Sequence, residues 1–477
     1  MQAVETISFI LNDKNCTESL PPGMVVLDYL RQHQRLTGTK EGCREGDCGA
    51  CFILLGRLQN GRILYRSVNS CLLPIGDISS SHLVTIEGLN GDGLNPIQKI
   101  FVDESASQCG FCTPGFIIAL IGFFLATNKL TESAAIAAMD GNICRCTGYT
   151  PIKRAAKILA QHFGATLPPA QSDGRLQILI EQGVLPSYFS AIAAKLHKLT
   201  KNISTTHSAK GGRIVAGGTD LFVQRADELK TTPLNFLSHK AELSHIWSES
   251  DKVYLGASVT VEQMHASPIL SDLFARLDTF IKLISSTPIR NRATIGGNIV
   301  NASPIGDLSI FFLALDASLR LTNGKQHRSI FLKDFFLDYK KLDLAENEII
   351  EWIEFPKPTK PFYFNFEKVS KRIHLDIASV NSAMRIEMDG DVIRDIALSA
   401  GGVAPIPLYL QRTVDALKGA SLSPTTIKEA AATALEEISP ISDVRGSGDY
   451  KKLLLRQLIY SHFVTLFPEQ LTPEALL

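Results

Sequence analysis

The sequence lacks a net charge, a membrane-length apolar run and, over most of its length, cysteine. Lysine plus arginine number 48 and aspartate plus glutamate 48, so formal charge cancels. A polyanion-binding surface would have to be local, which argues against nucleic acid as a main partner. The longest relevant uncharged apolar stretch, Gly115 to Ala126, is about half of what a bilayer span requires, so no transmembrane helix is expected. Met1-Gln2-Ala3-Val4-Glu5 has neither a basic n-region nor a small-residue cleavage site, and the expected localisation is the cytoplasm. There is no internal repeat or low-complexity tract. The 331 residues after Cys146 contain no cysteine at all.

What is present belongs to an ordinary globular protein. The 477 residues give a prior of about three domains, and 45% hydrophobic with 20% charged residues excludes disorder. The nine cysteines lie at 16, 43, 48, 51, 71, 109, 112, 144 and 146. An odd count crowded into one third of the chain, in a reducing compartment, points to metal binding by thiolates rather than disulfides.

Periodicity divides the chain. Thr6 to Leu11 alternates as a strand, Val25 to Gln34 has helical spacing, and Phe52 to Leu55 and Leu83 to Leu89 read as strands. From Pro96 the pattern is helical, with Gly115 to Asn128 apolar nearly all round and Thr131 opening a further helix through Met139. Leu167 to Gly174 is rich in Pro and Ser and reads as a linker. Short strands (Arg213 to Ala216, Val253 to Ala257, Ser318 to Leu321) then mix with helices (Val261 to Ala266, Ile269 to Leu283). After a second boundary near Pro356 to Pro361, Phe362 to Val369, Ala378 to Met388 and Val392 to Ala400 read as a strand meander, followed by helices. The expected divisions are 1–90, 91–165, a linker at 166–175, 176–356 and 357–477. The fold class is multidomain α+β.

Cys43-x4-Cys48-x2-Cys51 with remote Cys71 has the plant-type ferredoxin spacing of a 2Fe-2S site. Zinc prefers paired short spacings and fits it poorly. Gly42, Gly46 and Gly49 supply backbone freedom for a loop that wraps an anionic cluster with N–H groups. The second set, Cys109-x2-Cys112 and Cys144-x-Cys146, is compatible on spacing alone with zinc or a cluster. Its segments Gln108 to Gly115 and Asn142 to Tyr149 each read as opening a helix, where N–H groups suit an anionic cluster. Cys16 reads as a buried small apolar residue. Arg213 to Leu221 runs from a strand into the Gly217-Gly218 turn and a helix start capped by Thr219 or Asp220. Such a turn cradles a pyrophosphate or is an ordinary strand-turn-helix. A second glycine-polar element, Ile289 to Asp307 with Thr294-Ile295-Gly296-Gly297-Asn298 inside it, follows about 80 residues later. No G-x-G-x-x-G fingerprint is present, so a Rossmann domain is not supported.

The stretch Thr37 to Cys51, with Gln108 to Gly115 and Asn142 to Tyr149, resembles the iron-sulfur part of the molybdenum hydroxylases, the xanthine dehydrogenase family. Including Arg213 to Leu221 and Ile289 to Asp307, the likeness extends to the iron-sulfur and FAD small subunits of that family and covers nearly the whole chain. The resemblance implies a plant-ferredoxin-like β-grasp domain, a helical-bundle domain, an α+β FAD-binding domain of the vanillyl-alcohol-oxidase type and a C-terminal flavoprotein domain. It implies one 2Fe-2S cluster on Cys43, Cys48, Cys51 and Cys71 and another on Cys109, Cys112, Cys144 and Cys146. FAD would lie along Ile214, Val215, Ala216, Gly217, Gly218, Thr219, Asp220 and Leu221 and along Thr294, Ile295, Gly296, Gly297 and Asn298, with Asp307, Ile350 and Lys368 completing the site. Where the family often sets an aromatic ring over the flavin, this chain has Ile284.

The resemblance further implies that no residue here binds molybdenum. A second, molybdopterin-binding large subunit would carry the hydroxylating centre, with Gln108 and Cys146 facing the pterin, in a dimer of heterodimers. NAD+ would be the acceptor and purine oxidation the favoured branch. The competing readings are a stand-alone iron-sulfur flavoprotein reductase of a soluble carrier and a zinc-stabilised binding scaffold.

Overall fold

The structure, a computed structural model, describes residues 4–170, 172–202, 211–358, 361–372 and 374–476. Met1 to Ala3 of the segment read for a leader, Gln171 of the expected linker, Thr359 and Lys360 of the second boundary, and Leu477 lie outside the described residues. By compactness the chain forms two units, Met1–His239 with Ser286–Arg292, and Lys240–Ser285 with Ala293–Leu477. Neither division falls at the expected 166–175 linker. Helix α6 starts at Asp173, and buried Arg175 donates to the carbonyls of Phe124, Thr127 and Pro168. Those bonds tie the stretch to the helical bundle instead of leaving it a free spacer.

The first unit opens with a mixed sheet of β1 (Glu5–Leu11), β2 (Lys14–Leu20), β3 (Phe52–Gln59), β4 (Arg62–Asn69) and β5 (Ser81–Val84), in the order β2-β1-β5-β3-β4. β1 runs parallel to β5 and antiparallel to β2. Alternation puts Ile7, Phe9 and Leu11 into one core with Tyr29 and Leu30, while Ile10 packs against Ile192 and Leu196. The expected strand Leu83 to Leu89 ends at Val84, and Ile86–Leu89 coils as a 3-10 turn. Val25 to Gln34 is helical but begins as one turn, α1 (Val26–Asp28), and widens into a π-turn at Tyr29–His33, where the fully buried Tyr29 donates to Glu18. Cys16, expected to be buried, is half-buried on β2.

The bundle comprises α2 (Pro96–Asp103), α3 (Thr113–Ala126), α4 (Glu132–Ala137), α5 (Thr150–Gly164), α6 (Asp173–Glu181) and α7 (Phe189–Asn202). α3 is apolar on all sides because it is central, packed on the sheet at Leu54 and on α5 through Phe124 and Phe163. Gly122 permits the close approach, since a Cβ there would lie 3.2 Å from Leu54. The unit closes with β6 (Arg213–Val215), α8 (Leu221–Leu229), β7 (Leu234–Phe236), parallel to β6, and the strap Ser286–Arg292.

The second unit holds an antiparallel sheet of β8 (Ile246–Glu249), β9 (Lys252–Gly256), β10 (Ser318–Thr322), β11 (His327–Phe331) and β14 (Ile349–Pro356), ordered β11-β10-β14-β9-β8. A small hairpin of β12 (Phe336–Asp338) and β13 (Lys341–Leu342) precedes β14. The expected helix Ile269 to Leu283 is two, Pro268–Leu273 and Leu277–Lys282, because the chain turns at Phe274 to pack its ring among Phe311, Phe355 and Phe364. The strand meander is present as β15 (Phe362–Val369), β16 (Val380–Asp389), β17 (Val392–Gly401) and β18 (Leu408–Tyr409), covered by the helices Pro424–Glu437 and Gly448–Leu466. No helix among the described residues is long and apolar enough to cross a membrane.

Candidate functional site

Cys43, Cys48 and Cys51 sit on the loop between α1 and β3, and Cys71 follows β4 in a one-turn 3-10 helix, so the sheet brings the remote fourth thiol back to the loop. The sulfurs of Cys51 and Cys71 are 3.4 Å apart, and Cys43 and Cys48 form a second thiol pair beside them. Two thiolates on one tetrahedral metal with bonds of about 2.3 Å lie roughly 3.7 Å apart, so the Cys51 and Cys71 sulfurs are close to the spacing one metal atom requires. Among the described residues no three or more His, Cys, Asp or Glu side chains gather as around a single ion. Thiols in twos fit a binuclear cluster better than one zinc.

Backbone donors converge on these sulfurs. The Glu45 N–H reaches Cys43 Sγ at 3.3 Å. The hydrogen bond from Cys48, helped by the N–H groups of Glu45, Cys48 and Asp47, pulls the Cys43 thiol down to about 5, and the bond from Cys71 lowers Cys51 against its burial. The same bonds raise the partner thiols, Cys48 and Cys71, so one sulfur of each pair is the readier thiolate for metal ligation. The loop is closed by Lys40 N–H on the Ala50 carbonyl and by Arg31 on the carbonyls of Thr37 and Thr39. Of the three glycines, Gly46 (φ +83°) and Gly49 (φ +69°) need the left-handed region. Gly42 is there for space, not torsion: a Cβ would stand 2.7 Å from Cys48 Sγ.

The second set is similarly paired. Cys109 and Cys146 sulfurs are 3.6 Å apart and exposed, and Cys112 pairs with buried Cys144. Cys112 occupies the N-cap position of α3, as expected. Asn142 to Tyr149 leads into α5 with Tyr149 at its N-cap, but Cys144 and Cys146 lie in the loop before the helix. Cys144 receives loop donors in place of a helix terminus. The Thr147 hydroxyl and N–H lie 3.2 and 3.5 Å from its sulfur, and against burial they hold its thiol below the ordinary value. Gln108 and Phe111 are exposed beside this pair. The two loops touch directly. Ile143 N–H donates to the Cys48 carbonyl at 3.1 Å, and Asn142 Nδ2 to the Gly49 carbonyl at 3.3 Å.

The strap underpins both loops. Asp140 accepts from Thr287 N–H at 2.8 Å and from Arg290 at 2.9 Å, and Ile289 packs against Gly46 and Leu72. In the same unit Val215 is buried, Ile214 exposed, and Ala216, Thr219 and Leu221 intermediate around the Gly217-Gly218 turn. Gly218 is left-handed at φ +73°. The expected cap is absent: Asp220 holds the N-cap position of α8 without a capping bond and accepts from Gln224.

From Thr294 on, the second glycine element lies in the other unit. Thr294 Oγ1 caps the helix Ile295–Asn301 by accepting from Gly297 N–H at 3.1 Å. Gly296 serves the protein's own packing, since a Cβ would lie 2.8 Å from Ala257. Asn298 Oδ1 is buried with no protein partner, an acceptor a ligand hydroxyl would satisfy. Lys368 Nζ, nearly inaccessible, donates to Asp307 at 2.7 Å and to the Leu283 carbonyl at 2.8 Å, and Asn381 also holds Asp307. Ile284, Ile295 and Ile350 have side chains buried in the hydrophobic core, so Ile284 does not offer an open face of the kind expected over a flavin. Asp140, Asp77, Arg292 and Asn381 carried no recognisable spacing signal, because their partners are brought together by the fold, whereas Thr147 bonds Cys144 three residues away through the local turn.

Comparison with known proteins gives four domain matches in succession along the chain. Residues 9–73 match a 2Fe-2S iron-sulfur cluster binding domain, 85–157 a [2Fe-2S] binding domain, 188–358 the FAD binding domain in molybdopterin dehydrogenase, and 365–466 the CO dehydrogenase flavoprotein C-terminal domain. Xanthine dehydrogenase 1 of Arabidopsis thaliana is 27% identical over 93% of this chain and 38% of its own length. Xanthine dehydrogenase of Dictyostelium discoideum is 29% identical over 96% of this chain and 40% of its own. The chain thus spans about two fifths of these relatives. A carbon monoxide dehydrogenase structure from Hydrogenophaga pseudoflava, which lacks the Mo-pyranopterin moiety of its cofactor, matches at 26% identity and TM-score 0.52 over 55% of this chain and 92% of that one. Quinoline 2-oxidoreductase from Pseudomonas putida 86 shares the fold at 24% identity and TM-score 0.50, over 56% of this chain and 91% of that one. In this order the four matched domains are similar to the iron-sulfur and FAD portion of molybdenum hydroxylases.

Proposed function

We propose that this iron-sulfur and FAD part of a molybdenum hydroxylase carries electrons from a molybdenum centre on a second chain to NAD+, as in xanthine dehydrogenase, in the cytoplasm. When bound, the clusters pass single electrons and FAD collects them in pairs and releases hydride. Cys43 with Cys48, and Cys51 with Cys71, would each hold one iron of the first cluster. Cys109 with Cys146, and Cys112 with Cys144, would divide the second in the same way. The FAD assignment is supported by the match of residues 188–358 to the FAD binding domain in molybdopterin dehydrogenase and by the buried, partnerless Oδ1 of Asn298.

One observation carries the conduit reading: the Cys48 carbonyl and the N–H of Ile143, neighbour of Cys144, meet at 3.1 Å, joining a ligand of one cluster to the backbone beside a ligand of the other. The exposed pair Cys109 and Cys146, flanked by Gln108 and Phe111, is the side open to a molybdopterin-binding subunit, in a dimer of heterodimers. Purification with that partner tests the reading. Gln108→Ala should slow reduction of the clusters by a purine substrate and leave FAD reduction by NADH unchanged. Equal slowing of both half-reactions, full activity of the chain alone, or flavin reoxidised by oxygen with no response to NAD+ would overturn it.

A further inference from the structure

Behind the Gly217-Gly218 turn lies a buried ionic node that stability alone does not explain. The Arg292 guanidinium is 6% exposed; it donates through Nη1 to Asp77 Oδ2 at 2.5 Å and through Nη2 to the Gly217 carbonyl at 2.8 Å. Asp77 is fully buried and also meets Arg57 at 3.1 Å and the Ser238 hydroxyl. Arg57 alone balances that carboxylate. Burying a second guanidinium costs several kcal/mol, of order, and its Nε is left without a partner. One carboxylate therefore faces two guanidinium groups, and a cation lies beneath the turn.

The carbonyl it grips belongs to the peptide linking Gly217 to Gly218. In a planar trans peptide the C=O and N–H point in opposite directions, so fixing the Gly217 oxygen toward Arg292 aims the Gly218 N–H away from it. Gly218 is left-handed at φ +73°, a conformation in which successive N–H groups of a turn can face an anion. We propose that Arg292 is a positioning residue for anion recognition: it locks this peptide with its N–H outward and adds positive potential beneath, so that the turn takes the pyrophosphate of the flavin. The inference rests on the FAD reading and assigns that recognition to Arg292, which is not among the residues expected to line the flavin.

The test uses the full chain with its clusters, stripped of flavin and titrated with FAD or with riboflavin, which has no phosphate. Arg292→Met should weaken FAD at least tenfold, leave riboflavin unchanged and preserve both cluster EPR signals. Arg292→Lys, which keeps the charge and loses the fork, should fall between. Unchanged FAD affinity, or equal loss of FAD and riboflavin, overturns the proposal. Should Arg292→Met lose its cluster signals, Arg292→Lys decides by the same FAD-to-riboflavin ratio. A native chain that binds neither flavin would instead refute the FAD reading.

Discussion

The carbonyl of Cys48 accepts a hydrogen bond from the N–H of Ile143 at 3.1 Å. Two cysteine loops 95 positions apart are thus joined by main chain, where no side-chain substitution can remove the link. Close packing makes this possible, because Gly49 presses on Gly141 and Asn142, and Gly115 on the Gly49 carbonyl.

Iron and acid-labile sulfide should each measure about four per chain, two per four-cysteine set. Cys48→Ser keeps the backbone link but weakens one ligand set. It should abolish one EPR signal and spare the other, and simultaneous loss of both would contradict two separately ligated clusters.

Thr147 should tune the second cluster. Its hydroxyl accepts from Tyr149 N–H at 3.2 Å, leaving its proton for Cys144 Sγ, also at 3.2 Å. A donor to sulfur stabilises the more negative reduced state. Thr147→Val should lower the potential of that cluster by about 59 mV, a tenfold change in a one-electron equilibrium, while Thr147→Ser retains it. An EPR-monitored redox titration reads the shift, and an unmoved midpoint would count against the hydrogen bond.

Gly115→Ala sets propensity against packing. Alanine in a helix gains about 1 kcal/mol over glycine, but here its Cβ would stand 2.1 Å from the Gly49 carbonyl oxygen. Backbone cannot yield as a side chain does, so overpacking of about 1–3 kcal/mol should win. Urea unfolding should show net destabilisation. Gly110→Ala, at φ +82° but with open space around it, should cost about 1 kcal/mol from torsion alone.

Acid should destabilise the second unit early. Burial pushes His462 down to about 3, where it accepts from Asn365 and meets the Ser382 hydroxyl. Between about pH 3 and the unfolded value near 6.5, the unfolded chain binds the extra proton. Stability therefore falls as pH drops through that window, by roughly 1.4 kcal/mol per pH unit at most. His462→Gln should flatten the slope of stability against pH there, measured by urea midpoints; an unchanged slope would show that His462 is not the group responsible.

Cysteine spacing made the first proposed ligand set legible, because a binuclear cluster demands four thiolates and the loop around it demands glycine, and left the second open between zinc and a cluster; α3 and the meander of β15 to β17 were legible from hydrophobic period. Period could not show the break at Phe274, which is decided by packing among other phenylalanines, or the early end of β5. It also assigned Gly42 and Gly296 a shared reason with their neighbours, whereas the tertiary structure makes one a seat for sulfur and the other a contact with Ala257. Thiol pairing, the Cys48 to Ile143 bond, the Thr147 donor and the Arg292 node were settled only in three dimensions. Asp77 and Arg292 are 215 positions apart, and a buried charge pair has no local pattern: each residue is common on surfaces, and only the fold that excludes water from both makes them partners.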